Sequence, residues 1–118
     1  MFDDEDDDFL ENKLNEDLEK FESHLKGNVI GFLDSDRLEA VIDHYIVNSQ
    51  YSKALSAAEL GVYHFQYNSL FHLRKAQAMA GMGLLKDAIE LLNSIEKADN
   101  SNTEIFLTKA ALFSQLRD

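Results

Sequence analysis

The sequence predicts an all-α fold, and three observations support this prediction. Apolar residues recur at steps of three and four along most of the chain, which is the spacing of one face of a helix. Strict alternation of apolar and polar residues, the pattern of a half-buried strand, is almost absent. The predicted helices are nearly equal in length and joined by short connections, which indicates an internal repeat.

The first predicted helix runs from about Asp8 to Lys26. Its apolar residues form one stripe at steps of three and four, namely Leu10, Leu14, Leu18, Phe21 and Leu25. Gly27 and Asn28 are predicted to end the helix, because both residue types tolerate the left-handed conformation of a helix C-terminus. The apolar run at 29–33 is too short for a helix and contains a glycine, so we expect an extended connector there.

Asp34 is predicted to be the N-cap of a second helix. Leu33 and Leu38 have the spacing of a hydrophobic staple around it, and Asp36 and Glu39 place negative charge in the first turn. Further helices are predicted at about 52–66, 69–82, 85–98 and 103–116. Ser101 and Glu104 have the spacing of a capping box and are predicted to begin the last of these.

Composition indicates a single domain without disulfides. The chain has 118 residues, of which 45% are hydrophobic, and it contains no cysteine. Six of its 22 acidic residues lie at 3–8, and the rest of the chain carries a net charge of -5. We therefore expect residues 1–8 to be a disordered acidic tail and the surface to repel nucleic acid. A signal peptide and a long apolar run are both lacking, so we expect a cytoplasmic protein without a membrane partner.

The sequence contains no pattern of residues that indicates catalysis or metal binding. The four histidines include no pair at the helical spacing that brings two imidazoles to one metal, and no nucleophile motif or positioned carboxylate pair occurs. Gly81 and Gly83 could in principle cradle a phosphate, but no strand precedes them. We expect Gly83 to form a turn between two helices, and we expect no cofactor, no metal and no enzymatic activity.

The aromatic residues of segment 61–68 have two alternative structural roles. Tyr63, Phe65 and Tyr67 could fill space between helices, or they could form an exposed contact surface, since aromatic residues are enriched at interfaces. Core packing is the expectation, with Tyr63 and Phe65 buried on different sides of the segment.

A shift of 34 residues aligns successive parts of the chain from residue 35 onwards without a gap. It relates Ala54 to Ala88 and Leu55 to Ile89 in one pair of helices. In the next pair the same offset relates Leu73 to Leu107 and Ala76 to Ala110, together with Asn68 to Asn102. The matched positions are mostly small or apolar, as expected where two packed helices repeat.

The period and these positions resemble the tetratricopeptide repeat family, whose unit is a 34-residue helix–turn–helix. The resemblance covers 35–68, 69–102 and the half unit 103–118, with 9–34 as an additional helix and connector. The residues that carry it are Leu38, Val41, Ile42, Tyr45, Ala54 and Ala58 in the first unit, Ala76, Met79, Ala88 and Leu92 in the second, and Phe106, Ala110 and Phe113 in the third. It implies an α-solenoid of stacked antiparallel hairpins with an extra N-terminal helix; a different helical bundle is the alternative.

In this family the first helix of each unit lines the concave side, where a segment of a partner protein lies. Carried onto this chain, the resemblance implies partner contacts at Asp36, Glu39, Asp43, Leu70, Leu73, Gln77, Glu104, Leu107 and Ala111. Glu39 and Asp43 have the wrong charge for clamping an acidic tail, and Arg74 is the lone basic candidate. We therefore expect a non-catalytic scaffold that binds a basic amphipathic segment. The alternative is an oligomerisation module whose groove holds its own N-terminal helix.

The last predicted helix has apolar residues on more than one face. Phe106, Phe113 and Leu116 are among them, and leaving several such side chains in water is costly. We expect this surface to be covered, either because the chain is a piece of a longer array or because two copies form a homodimer through it.

Overall fold

Six α-helices follow one another through residues 4–28, 33–98 and 102–117, the parts of the chain that this computed structural model describes, and no strand occurs there. In chain order they are α1 (Asp4–Leu25), α2 (Ser35–Val47), α3 (Tyr51–His64), α4 (Ser69–Gly81), α5 (Leu85–Ala98) and α6 (Thr103–Arg117). The all-α prediction is confirmed. The predicted connector at 29–33 lies outside the described residues except for Leu33, which is buried.

α1 begins earlier than predicted. It starts at Asp4, so the expectation of a disordered tail at 1–8 is wrong for residues 4–8, and residues 1–3 lie outside the described part of the chain.

Three N-caps recur with the period that the sequence predicts. Asp34 accepts a hydrogen bond from the backbone N of Arg37 at 2.9 Å, as predicted. Asn68 and Asn102 accept hydrogen bonds from the backbone N of Leu70 and of Glu104, at 3.1 and 3.0 Å. The predicted cap Ser101 lies outside the described residues, and the observed cap of α6 is its neighbour Asn102. An asparagine oxygen reaches the free N–H groups of a first turn as well as a serine oxygen does.

The bounds of the helices repeat with the same period. α2 and α4 have 13 residues each and begin at residues 35 and 69, while α3 and α5 have 14 residues each and begin at 51 and 85. The turn residues match as well, because Ser49 and Gly83 both have positive φ, at 58° and 87°. Gly83 therefore forms the turn between α4 and α5 that was predicted for it.

The core consists of two hydrophobic clusters that meet at α4. The first joins α1, α2, α3 and one side of α4, where Phe71 and Ala78 are buried. The second joins the other side of α4, with Leu73 and Ala76, to α5 and α6. The Cα radius of gyration is 15.3 Å, compared with roughly 13–14 Å for a compact domain of this length. The helices are therefore packed into a less compact shape than a typical globular domain of this length.

Candidate functional site

The residues predicted to line a concave face lie on α2, α4 and α6, and polar contacts connect these three helices. Arg74 on α4 is at the centre: its Nε donates to Asp43 on α2 at 2.9 Å, and its Nη1 donates to Glu104 on α6 at 2.9 Å. Nη1 also donates to Gln77 at 3.0 Å. The side chain of Arg74 is only 14% exposed. One guanidinium thus holds a carboxylate from each neighbouring helix.

Asp43 and Glu104 pair with Arg74, and the charge of Glu39 interacts with those of Asp36, Asp43 and Glu104. We call the surface formed by Asp36, Glu39, Asp43 and Glu104 the carboxylate face. Asp43 and Glu104 keep almost half of their side-chain surface exposed while paired with Arg74. Asp36 is exposed and Glu39 is half-buried. Since Arg74 is the cation paired on this face, the face has an excess of negative charge.

Glu39 lies in the carboxylate face at a position where its own negative charge is unfavourable. Burial raises the pKa of Glu39 above its usual 4.5, and the neighbouring negative charge of Asp43 raises it further, while Arg74 opposes both effects. A cation brought to this position from another molecule would relieve both the burial cost and the repulsion.

The apolar residues predicted for this face differ in their exposure. Leu107 and Ala111 on α6 are exposed, and Leu70 is half-buried. Leu73 is fully buried in the second cluster, so its prediction as a partner contact is wrong. The resemblance implied a partner contact at Leu73, but this side of α4 packs against α5 and α6. Gln77 is half-buried and donates to Thr108 at 3.4 Å, which ties α4 to α6.

Sequence reasoning treated Arg74 as a lone candidate for contacting a partner and missed its two ion pairs. A signal for them exists in the spacing: Asp43 precedes Arg74 by 31 residues, and Glu104 follows it by 30. In a chain with a 34-residue period, residues about 31 apart lie on equivalent helices, nearly one turn out of register. The Gln77–Thr108 hydrogen bond has this spacing too.

α1 does not occupy the carboxylate face. It packs mainly against α2, where Arg37 Nε donates to the buried Asp17 at 2.9 Å. Phe21 of α1 is fully buried beside Tyr45, and Lys53 of α3 donates to Glu22 at 2.6 Å. Since α1 makes no substantial contact with α4 or α6 in the described chain, this arrangement does not support the expectation that the groove holds the N-terminal helix.

The aromatic segment divides between core and surface. Phe65 stacks on the buried Phe71 with ring centroids 5.5 Å apart, as the core prediction requires. Tyr63 is 73% exposed and Tyr67 is fully exposed, so the core prediction is wrong for both. Tyr63 lies on the exposed side of the last turn of α3, and Tyr67 lies in the turn that follows the end of α3 at His64. Tyr67 borders a cleft of about 540 Å³ against α5.

The predicted interface residues of α6 are partly exposed. Phe106 and Phe113 are each 47% exposed, while the side chain of Leu116 lies outside the described residues. In the part of the chain that the structure describes, no helix has the length and hydrophobicity needed to cross a membrane. Within the same residues, histidine and carboxylate side chains form no group of three that could hold a metal ion.

No family model, curated protein or solved structure shows significant similarity to this chain.

Proposed function

We propose that this chain is a non-catalytic scaffold that binds a basic amphipathic segment of a partner protein on the carboxylate face. The observation that carries the proposal is the pairing of Asp43 and Glu104 with Arg74, which brings α2, α4 and α6 side by side. A surface formed by three neighbouring helices is wide enough to hold an extended or helical peptide.

We further propose that the fold is an α-solenoid of hairpins similar to tetratricopeptide repeats. Support comes from the helix bounds, the N-caps and the positive-φ turn residues, all of which repeat with the same period. In such an arrangement α2, α4 and α6 are the first helices of successive hairpins, so their exposed sides form one continuous binding surface.

Charge determines which partner would fit. Asp36, Glu39, Asp43 and Glu104 outnumber Arg74, whose charge is already neutralised by two carboxylates. A lysine or arginine of the partner would therefore find unpaired acceptor oxygens, and an acidic partner would be repelled. Leu107 and Ala111 add exposed apolar surface beside the carboxylates, which matches an amphipathic segment better than a uniformly charged one.

A titration with a model ligand tests the proposal. The probe is a fluorescein-labelled, helix-forming peptide of lysine and leucine, and fluorescence anisotropy reports its binding. Glu39→Gln should weaken binding by about three- to tenfold, because it removes one carboxylate from the face. Glu59→Gln is the matched control, since Glu59 is an exposed glutamate on α3, outside the face. Equal affinities for the two variants, or stronger binding at higher salt, would contradict the proposal.

A further inference from the structure

One stripe of α6 is uncovered and carries no charge. It consists of Phe106, Ala110 and Phe113, which are exposed and spaced at i, i+4 and i+7, so that they lie within about 60° of one another around the helix. Among the α6 side chains that the structure describes, Glu104 is paired with Arg74 and Lys109 with Glu96, both within the subunit. This stripe is separate from the carboxylate face, from which it is turned by roughly a third of a circle.

The equivalent stripes of α2 and α4 are covered. Moving the α6 stripe back by one period gives His72, Ala76 and Met79 on α4, which are all buried or half-buried. Moving it back by a second period gives Leu38, Ile42 and Tyr45 on α2, which are all buried. In both cases the next helix of the chain packs closely along the stripe after a short turn. The covering element that fits this surface is therefore a helix running antiparallel to it.

We propose that α6 of a second copy covers this stripe in a symmetric homodimer. The sequence Phe-x3-Ala-x2-Phe is self-complementary when two copies run antiparallel: a twofold axis beside Ala110 puts Phe106 of each copy against Phe113 of its partner. The small Ala110 at the axis lets the two backbones approach closely. The three described residues of the stripe are all uncharged, so the same uncharged stripe of a second copy is a matching occupant.

The overall charge gives this dimer a characteristic dependence on salt. Each chain has a formal charge of -11, so two copies repel one another, and salt screens this repulsion. Dimerisation should therefore strengthen as salt is added. Binding of a basic peptide to the carboxylate face should weaken under the same change. The two proposals can thus fail independently of each other.

Sedimentation velocity of the full chain tests the dimer directly. A contact made by one helix from each copy is smaller than the roughly 1,600 Å² of a standard interface, so we expect a micromolar dissociation constant. The sedimentation coefficient should rise between about 5 and about 200 µM protein, and more steeply at about 0.5 M than at about 0.05 M NaCl. A monomer throughout this range at both salt concentrations would overturn the proposal.

Two matched pairs of variants locate the contact. Ala110→Glu should abolish the dimer and Ala111→Glu should leave it intact, since both residues are exposed alanines of α6 and only Ala110 lies on the stripe. Because the chain has no cysteine, Ala110→Cys should form a disulfide-linked dimer on oxidation, and Ala111→Cys should not. Circular dichroism checks that each variant keeps its helices. Equal behaviour within either pair of folded variants would rule out this interface.

Discussion

At the scale of single residues, Arg74 shows how a largely buried charge is stabilised in this chain. Burial opposes its positive charge, but the hydrogen bonds and negative charges of Glu104 and Asp43 outweigh that cost and raise the pKa of Arg74. Both carboxylates remain nearly half exposed, so water shares in solvating them. The network therefore combines a structural role within the stack with acceptor oxygens that a partner can reach.

The first prediction concerns removal of this cation. Arg74→Met should lower the free energy of unfolding by about 1–2 kcal/mol, because Asp43 and Glu104 lose their partner but stay partly solvated. Arg37→Met should cost more than Arg74→Met, since its partner Asp17 is only 2% exposed and would keep an uncompensated charge. Urea unfolding of both variants measures this. A larger loss for Arg74→Met than for Arg37→Met would show that the burial argument is wrong.

The second prediction concerns Glu39 and pH. The pKa of Glu39 is raised in the folded chain, chiefly by burial and then by Asp43, so folding favours its protonated form. Its charge therefore destabilises the fold at neutral pH, and this cost disappears as the pH falls through the raised pKa. Glu39→Gln should be more stable than the parent chain at pH 7, by up to about 0.5 kcal/mol.

Thermal unfolding of Glu39→Gln and the parent chain at pH 7 and near pH 4 checks the sign. The difference between the two proteins should shrink at the lower pH, where Glu39 is largely protonated in both the folded and the unfolded state. A loss of stability at pH 7 would contradict the pKa argument. Greater stability together with weaker peptide binding is the combination expected of a carboxylate that serves binding rather than folding.

At the scale of the helices, the contact between α3 and α4 depends on a residue without a side chain. A Cβ added to Gly61 would overlap the ring of Phe71, which is fully buried and stacked on Phe65. The glycine lets the two helices approach until the ring lies against the backbone of α3. The equivalent residue one period later is Ile95, so this close approach belongs to one pair of helices and is not part of the repeat.

The third prediction follows from that overlap. Gly61→Ala gains about 1 kcal/mol of helix propensity but incurs an overpacking cost of about 1–3 kcal/mol. We expect a net loss of roughly 1 kcal/mol in chemical denaturation. The double variant Gly61→Ala, Phe71→Leu should be more stable than the sum of the two single changes predicts, because the smaller side chain makes room for the methyl group. A stabilised Gly61→Ala chain would show that the helices separate easily.

The helices themselves could largely be predicted from local sequence, and the contacts between them could not. The start of α2 followed from the capping pattern around Asp34, and the predicted bounds of α5 agree with those observed. The pairing of Arg74 with Asp43 and Glu104 joins residues about 30 apart, so it depends on how the helices pack. The exposure of Tyr67 depends on the direction of a turn, which periodicity does not report.

At the scale of the whole molecule, α1 is part of the core. Its Phe21 lies fully buried in the first cluster, and a hydrogen bond from Lys53 lowers the pKa of Glu22 and ties α1 to α3. The N-terminal part of α1 differs, because Phe9 and Leu10 are exposed. The helix thus has a packed part around Asp17, Phe21 and Glu22 and an exposed part around Phe9 and Leu10.

The fourth prediction separates these two parts. Deleting residues 1–28 should leave the chain largely unfolded, since burial of Phe21 alone contributes about 1.5–3 kcal/mol to a domain stability of about 5–15 kcal/mol, and the partners of Arg37 and Lys53 are lost as well. Deleting residues 1–10 is the control and should leave the thermal midpoint nearly unchanged. Circular dichroism distinguishes the outcomes. A folded 29–118 chain would show that α1 is a removable cover.

The central claim is that α2, α4 and α6 present one binding surface for a basic segment, and chemical-shift mapping with the lysine–leucine peptide tests it most directly. In ¹H–¹⁵N spectra of the labelled chain, the shifted amides should cluster around Asp36, Glu39, Asp43 and Gln77, and extend to Leu107 and Ala111. Shifts concentrated around Tyr63 and Tyr67, or scattered evenly over the acidic surface, would contradict it.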